Sequence, residues 1–462
     1  MKFVIYDPPV RRSAARCDDV VNTPLSSCLL AGYAVASLKK AGFEAELIET
    51  AGVSPAAGWS VLILHLVYQW EYTEPLLEGL KSLKASGKVS RIFLFGFYPS
   101  AFHDRLLDRF SFIDGVVVGD PEETLVRLAA RLEENRDWRQ TRGVAFQEKG
   151  RTCLIPRPEE SDLDRLAFPL RTRLACGTAY ILGSRGCYGQ CRFCTIHFLS
   201  HGKACWRGRS PENIVEEMVR VREAFGASYF YFADPNFCGP GNRGRERSAE
   251  LARLIRYRLP GITFGMECRA DNVEESLFTE LREAGLHDLF LGVESFSQRM
   301  LERFRKGVTA ERNIRAVKVL QGLGIHLSIG FIMFEKETKL EDVRVNFETL
   351  LRLDLLSHPS STAHLLSHRV FLLRGTAFSP GACAKEYDAP YHFDEDAVQT
   401  LYETIYPRCR QIMREMDGED FNDPGHRRYR AKNLSLVGFF EAALTRMEKA
   451  AKLPEKRIPC GG

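Results

Sequence analysis

The first 150 residues alternate short apolar runs with amphipathic stretches. The apolar runs have the length and the β-branched or aromatic composition of strands, at 2–6, 45–48, 60–67, 91–95 and 115–118. Helical spacing of apolar positions predicts helices between them, at 25–40, 74–86, 102–110 and 122–134. The alternation predicts an α/β fold that begins with a doubly wound, Rossmann-like domain over 1–150, whose ligand sits beyond the carboxyl ends of parallel strands.

A polar, proline-bearing stretch at 151–178 predicts a linker. The next alternation, over 179–375, contains six predicted strand and helix units, with strands at 179–182, 228–233, 263–268, 288–291, 326–334 and 370–373. Six units are fewer than the eight of a closed barrel, so this pattern predicts a partial (β/α)6 barrel. Residues 376–462 predict a mostly helical C-terminal region on the substrate side, with helices at 394–416 and 430–452.

Charge and composition narrow the class of protein. The chain has 64 basic and 60 acidic residues, and a net charge of +4 does not indicate a nucleic-acid or membrane partner. Apolar runs of about 18 residues are absent, and residues 1–6 lack the pattern of a signal peptide. With an odd number of cysteines, 13, the sequence predicts a cytoplasmic protein with reduced thiols.

Three cysteines follow the strand predicted at 179–182. Cys187, Cys191 and Cys194 have the spacing CxxxCxxC, and three thiolates on one loop can hold three irons of a 4Fe-4S cluster. The fourth iron then lacks a protein ligand and can bind a small molecule. The alternative is a structural zinc site of the Cys3His type completed by His197, although zinc sites usually pair two CxxC knuckles.

This loop, with Phe193 just before the last cysteine, resembles the cluster loop of the radical SAM superfamily, in which the open iron chelates S-adenosylmethionine. The later segment 292–298, GVESFSQ, resembles that family's GxExxSQ signature. The resemblance implies a 4Fe-4S cluster held by the three cysteines. It also implies that S-adenosylmethionine contacts Phe193, Asp234, Asn236, Arg269, Glu294 and Ser295. For Asp234 and Asn236, turn formation is the alternative role.

Placed before such a barrel, the first domain resembles the cobalamin-binding domain of cobalamin-dependent radical SAM enzymes. In the broader cobalamin family, the loop after the first strand carries DxHxxG, whose histidine ligates cobalt. Here that loop is Asp7-Pro8-Pro9, so the resemblance implies cobalt without a histidine from this loop. Within the strand at 60–67, His65 is interpreted as a satisfied core residue. The implied cobalamin contacts are Tyr68, Gln69, Trp70, Gly96, Tyr98 and Gly119. For Trp70, a partly buried aromatic at a strand end is the alternative role.

The resemblance implies a methyltransferase that methylates an unactivated carbon of a small-molecule or peptide natural-product precursor. Its implied partners are that substrate and an electron donor such as flavodoxin or ferredoxin. Two alternatives remain open: a cobalamin-dependent rearrangement or cyclisation without methyl transfer, and a non-catalytic cobalamin carrier or sensor with a structural metal site. The sequence does not indicate the substrate.

Overall fold

The structure is a computed structural model that describes residues 1–8, 29–50, 60–67, 74–156, 162–174, 177–197, 204–372, 376–378, 391–416 and 427–452. Two sheets organise these residues. The first lies in the N-terminal third of the chain, and the second follows the cysteine loop. Both sheets contain parallel strands connected by helices, which confirms the predicted α/β fold with a parallel sheet.

The first sheet has seven strands in the order β2-β1-β3-β4-β5-β6-β7. They are β1 (Lys2–Tyr6), β2 (Glu44–Ile48), β3 (Val61–His65), β4 (Arg91–Phe95), β5 (Gly115–Val117), β6 (Val144–Glu148) and β7 (Arg151–Leu154). The helices are α1 (Leu30–Lys40), α2 (Glu74–Ala85), α3 (Phe97–Arg109) and α4 (Pro121–Glu133). Strands β1 to β5 are parallel, and a separate apolar core fills each face of the sheet. This is the packing that a doubly wound sheet requires.

Strands β6 and β7 were not predicted. They form an antiparallel hairpin at the edge of the sheet, and their turn places Lys149 and Gly150 at positive φ angles of 50° and 75°. Half-exposed or exposed side chains dominate β7, because an edge strand buries little and therefore shows a weak apolar pattern. The first sheet thus continues past residue 150, where the domain boundary was predicted.

The second half of the chain contains a hairpin and a parallel sheet. Its strands are β8 (Ala179–Ile181), β9 (Ser184–Cys187), β10 (Cys205–Gly208), β11 (Tyr229–Phe232), β12 (Thr263–Arg269), β13 (Leu286–Glu294) and β14 (His326–Phe331). Its helices are α5 (Pro211–Phe225), α6 (Gly241–Arg258), α7 (Glu275–Glu283), α8 (Gln298–Arg303), α9 (Ala310–Gly322) and α10 (Leu340–Arg352). Strands β9 and β10 pair antiparallel, and the other five form the sheet β14-β13-β12-β11-β8.

Five strands, not the predicted six, form this sheet within the described ranges. The segment predicted as the sixth strand, 370–373, begins beside a single parallel bridge between Phe334 and Arg369. The backbone N–H groups of Met333 and Phe334 both donate to the carbonyl of His368. Val370 N–H in turn donates to the Phe334 carbonyl at 2.8 Å. The pairing stops at this one bridge, so the described residues 370–372 do not form a regular strand.

Three further helices complete the described chain: α11 (Pro359–Ser367), α12 (Asp396–Glu415) and α13 (Arg427–Ala451). Their apolar side chains join the large core that the helices form on the outer face of the second sheet, which agrees with the predicted helical C-terminal region. None of the helices in these ranges combines the length and apolar composition that crossing a bilayer requires.

The first domain packs against the second sheet through α1. Leu29 and Tyr33 share an apolar cluster with Leu182 and Ala233, which follow β8 and β11. In addition, Leu170 N–H donates to the Gly32 carbonyl at 3.1 Å. The carboxyl end of the second sheet therefore lies next to the domain that was predicted to bind a second cofactor.

Candidate functional site

The three cysteines lie on the β9 strand and the loop that follows it. Cys187 ends β9, and its sulfur accepts a hydrogen bond from Gly189 N–H at 3.3 Å. The Cys194 N–H donates to the Cys191 carbonyl at 3.1 Å. Gly186 has φ of 75°, and a Cβ at this position would lie 2.2 Å from the Cys205 carbonyl oxygen. Only glycine fits here, and it brings the two strands of the hairpin together.

The three thiols are candidate ligands of a 4Fe-4S cluster or of one zinc ion. In the part of the chain that the structure describes, no three His, Cys, Asp or Glu side chains are grouped closely enough to hold one metal ion. The Cys3His zinc site with His197 therefore has no support from the geometry. In a 4Fe-4S cluster each thiolate ligates a different iron, so the ligands need not converge on one point.

Two cations stand beside the thiols. Burial raises the pKa of Cys187 and of Cys194 above the ordinary thiol value, and the charges of Lys306 and, at Cys187, Arg269 oppose that shift. The Arg269 guanidinium donates to the Cys191 sulfur at 3.6 Å. Because metal ligation requires thiolates, these cations favour the anionic state that a cluster needs.

The protein fixes Arg269 on several sides. Its Nε donates to Asp271 at 2.9 Å, and its Nη2 donates to the Lys306 carbonyl at 2.6 Å. The guanidinium also lies over the Tyr188 ring, 5.2 Å from its centroid. A Cβ at Gly189 would lie 2.4 Å from Arg269 Nη1, so the glycine in the cysteine loop makes room for this side chain.

Glu294 and Lys306 form a buried ion pair at 2.9 Å. Glu294 ends β13 in the left-handed region, with φ of 66°, which is unusual for a residue with a side chain and is typical of functional sites. A Cβ at Gly292 would lie 2.9 Å from Lys306 Nζ and 3.0 Å from Glu294 Oε1.

Ser295 is fully buried, and its hydroxyl donates to Asn346 at 3.0 Å. The Phe193 ring packs edge-on against Phe304.

Asp234 and Asn236 differ in how many hydrogen bonds the protein supplies to their side chains. The Asp234 carboxylate accepts hydrogen bonds from Gly183 N–H at 2.7 Å and Ser184 Oγ at 2.8 Å, so it holds the turn between β8 and β9. Burial raises the pKa of Asp234 to about 6. The Asn236 side-chain amide is buried, and neither its nitrogen nor its oxygen has a partner among the described residues. Because buried polar groups are normally hydrogen-bonded, this amide is suited to a ligand that supplies the missing hydrogen bonds.

The described cobalamin-contact candidates lie at the carboxyl edge of the first sheet. Gly96, with φ of 116°, begins α3, and a Cβ there would lie 2.3 Å from the Leu66 carbonyl oxygen. Ser100 Oγ donates to the Gly96 carbonyl at 2.6 Å and accepts from Gly119 N–H at 3.0 Å. Tyr98 stacks on Phe102. The other three candidates, Tyr68, Gln69 and Trp70, lie outside the described residues.

His65 ends β3 and is only 1% exposed. Its Nδ1 pairs with Asp7 Oδ1 at 2.9 Å, and its ring packs on Phe95. Its Nε2 is buried without a partner within the described ranges, so the interpretation of a satisfied core residue holds only for Nδ1. The neighbouring Cδ2 lies 2.9 Å from the position that a Cβ on Gly96 would take, so this ring edge faces the start of α3.

Sequence reasoning missed a buried charge cluster, formed by Asp120, Glu122, Arg185 and Arg207, which joins the first domain to the cysteine hairpin. Arg185 pairs with Asp120 at 3.0 Å and with Glu122, and Arg207 pairs with Asp120 at 2.9 Å. Arg185 also lies over the Tyr33 ring at 5.0 Å. Both acids begin α4, whereas Arg185 precedes Cys187 by two positions. Opposite charges this far apart in sequence give no local signal of pairing.

Comparisons with known proteins agree with this architecture. Residues 181–347 match the model of the Radical SAM superfamily. An uncharacterized methyltransferase of Pyrococcus horikoshii is 30% identical over 253 residues, which are 53% of this chain and 54% of that relative. The chain thus spans about half the length of this curated relative.

Two solved structures share the fold along nearly the whole chain. The cobalamin-dependent S-adenosylmethionine radical enzyme OxsB, with aqua-cobalamin bound, has a TM-score of 0.75 at 19% identity, covering 96% of this chain and 72% of that chain. The radical S-adenosylmethionine methyltransferase TsrM from Kitasatospora setae, with cobalamin and a 4Fe-4S cluster bound, has a TM-score of 0.64 at 16% identity, covering 98% and 100%. At these identities the likeness establishes the fold.

The charge cluster makes a prediction for stability. Arg185→Met would leave the Asp120 and Glu122 carboxylates without their shared cation in a buried site, at a cost of about 3–5 kcal/mol. Anaerobic urea denaturation of the variant and the parent measures the difference. The matched control is Arg165→Met, because the Arg165 pair with Asp162 is exposed and its loss should cost about 0.5 kcal/mol or less. Equal losses in the two variants would contradict a structural role for the cluster.

Proposed function

Because residues 181–347 match the model of the Radical SAM superfamily, we propose that this protein is a cobalamin-dependent radical SAM methyltransferase. In this proposal it uses a 4Fe-4S cluster and S-adenosylmethionine to methylate an unactivated carbon of a small molecule or peptide. An electron donor such as flavodoxin or ferredoxin reduces the cluster.

One observation carries the proposal. The charge cluster joins the carboxyl edge of the first sheet, where cobalamin would bind, directly to the hairpin that presents the three cysteines. Two cofactors held at these places would face a common space beside the second sheet. The fold shared with OxsB and TsrM, whose structures contain cobalamin, supports the same reading.

The chain supplies the binding groups for these cofactors. Cys187, Cys191 and Cys194 would hold the cluster, and the unpartnered Asn236 amide and the Glu294 carboxylate would orient S-adenosylmethionine. Gly96 and Gly119, both at positive φ, turn the chain at the carboxyl edge of the first sheet, where the cobalamin tail would bind. When bound, the cluster supplies the electron that cleaves S-adenosylmethionine, and cobalamin carries the methyl group.

Product analysis tests the proposal. We expect protein reconstituted without oxygen with iron, sulfide and cobalamin to convert S-adenosylmethionine into both 5'-deoxyadenosine and S-adenosylhomocysteine when dithionite is added. Cys194→Ala should abolish 5'-deoxyadenosine because one iron loses its thiolate, whereas Cys153→Ala, a thiol outside the hairpin, should retain both products. Formation of 5'-deoxyadenosine alone would indicate rearrangement without methyl transfer, and formation of neither product would indicate a carrier or sensor.

Glu294 allows binding and stability to be separated. Glu294→Gln should weaken S-adenosylmethionine binding on the order of 10 to 100 fold, because a carboxylate on ribose hydroxyls forms charge-assisted hydrogen bonds. The same change leaves Lys306 buried without its partner, so the variant should also lose stability.

Adding Lys306→Met to Glu294→Gln removes the orphaned charge and completes a double-mutant cycle. We expect the double variant to regain stability in urea denaturation but not affinity in equilibrium dialysis with S-adenosylmethionine. Full affinity in the single variant would instead make Glu294 a structural residue.

The lower face of cobalt provides a separate test. His65 uses Nδ1 on Asp7, and its Cδ2 edge faces the start of α3, so we expect His65 to support the tail site and not to ligate cobalt. Electron paramagnetic resonance of the cobalt(II) form should therefore show no nitrogen superhyperfine splitting from a protein ligand. A splitting that disappears in His65→Ala would identify His65 as the axial ligand and refute this expectation.

A further inference from the structure

The inner face of the second sheet carries side chains that remain half-exposed. Along each strand, fully buried residues such as Phe230 and Phe232 face the helices, while their neighbours Tyr229 and Tyr231 face the interior and remain half-exposed. This alternation is the normal pattern of a strand. The inward residues on adjacent strands are Tyr180, Tyr231, Gly265, Glu267, Phe290 and Gly330.

Glu267 is the carboxylic acid at the centre of this face. It lies on β12, two residues before Arg269, so both side chains point to the same side of the sheet. Arg269 reaches Cys191, which places Glu267 one layer deeper than the cysteine site. Its backbone carbonyl accepts from Phe237 N–H at 2.9 Å. Its carboxyl has no hydrogen bond or ion pair with any residue that the structure describes.

Aromatic rings share this face with the acid, and glycines on the neighbouring positions give those rings room. Tyr180 and Tyr231 meet edge to face, with ring centroids 6.0 Å apart. A Cβ at Gly265 would lie 2.6 Å from the Tyr231 ring, and a Cβ at Gly330 would lie 3.0 Å from the Phe290 ring. Phe290 pairs with Glu267 in the strand register. The Tyr231 and Phe290 rings therefore pack directly on the two glycines, and a side chain at either glycine would displace them.

The charges around Glu267 disfavour an anionic ligand. Burial, followed by the Asp234 carboxylate, raises the pKa of Glu267 to about 8. The neighbouring cations are already committed: Arg269 pairs with Asp271, and Lys306 pairs with Glu294. An incoming anion would meet the negative charge of Asp234, whereas an incoming cation would restore the ionised state of Glu267.

We propose that Glu267, with Tyr180, Tyr231 and Phe290, forms the substrate subsite and binds a protonated amine carried on a planar or apolar group. A carboxylate beside aromatic faces is the arrangement that recognises ammonium groups, through an ion pair and cation–π contacts. This inference rests on the proposed function, because it names the substrate class for the same barrel.

Binding of a cation beside Glu267 should release protons into solution, and this release can be measured. At pH 7 Glu267 is mostly neutral, and pairing with an ammonium ionises it, so about 0.9 proton should be released on binding. Tyr231 and Asp234, two other titratable groups near Glu267, do not supply this proton. Burial also raises the pKa of Tyr231 far above neutrality, and Asp234, with a pKa of about 6, is largely ionised at pH 7.

Isothermal titration calorimetry tests the inference with two probes that share a phenyl group, phenethylamine and 3-phenylpropionate. Titrations of the reconstituted protein at pH 7 in phosphate and in Tris, whose ionisation enthalpies differ, give the number of protons released. We expect saturable binding of the amine with release of about 0.9 proton and no binding of the acid.

Glu267→Gln should weaken amine binding on the order of tenfold or more and remove the proton release. Glu267→Asp should retain the release with weaker binding, and the control Glu280→Gln, on an exposed helix face, should behave as the parent. Absence of amine binding to the parent, equal binding of both probes, or proton release that persists in Glu267→Gln would overturn the inference. Failure of the proposed function would appear separately, as absence of 5'-deoxyadenosine in the parent protein.

Discussion

The buried charge cluster between the first domain and the cysteine hairpin is the constraint on which the rest of the site depends. Two carboxylates at the start of α4 and two arginines on β9 and β10 leave water together. Each charge is tolerable only while its partners are in place, because a buried charge without a partner costs several kcal/mol. The cluster therefore fixes the hairpin relative to the first sheet more than it adds to stability. A second buried charge group lies nearby. Arg171, which precedes β8, and Arg209, which follows β10, both pair with Glu217 of α5.

Residues in the site divide into those that hold the protein together and those left for a ligand. Asp234 and Ser295 follow β11 and β13, and the protein supplies hydrogen bonds to both side chains. The Asn236 amide, which also follows β11, has no such partner among the described residues. Position after a strand therefore does not decide which polar side chains are left for a ligand. Their neighbour Glu294 combines a structural ion pair with a strained backbone, so one residue can serve both purposes.

Sequence patterns predicted those features that depend on residues close together in the chain. Strands β1, β3 and β4 are buried on both faces and therefore appear in the sequence as continuous apolar runs. The cysteine spacing likewise depends on one short loop. The β6–β7 hairpin was missed because an edge strand needs few apolar residues. The segment predicted as a strand at 370–373 pairs, over its described residues, only beside the single bridge between Phe334 and Arg369. Arg185 and Glu122 are 63 positions apart, and the isolation of Glu267 depends on three strands, so neither could be inferred without the fold.

The hairpin contact also limits how this protein can be recombined. Joining the second sheet of this chain to a different accessory domain would separate the two sides of the charge cluster. In such a chimera, the guanidinium groups of Arg185 and Arg207 would lack the acidic partners that they have here. A foreign domain that lacks the counterparts of Asp120 and Glu122 would meet them with apolar or neutral surface, and the loop presenting the cysteines would lose its support. Chimeras built from this chain should therefore retain the start of α4 together with the β9–β10 hairpin.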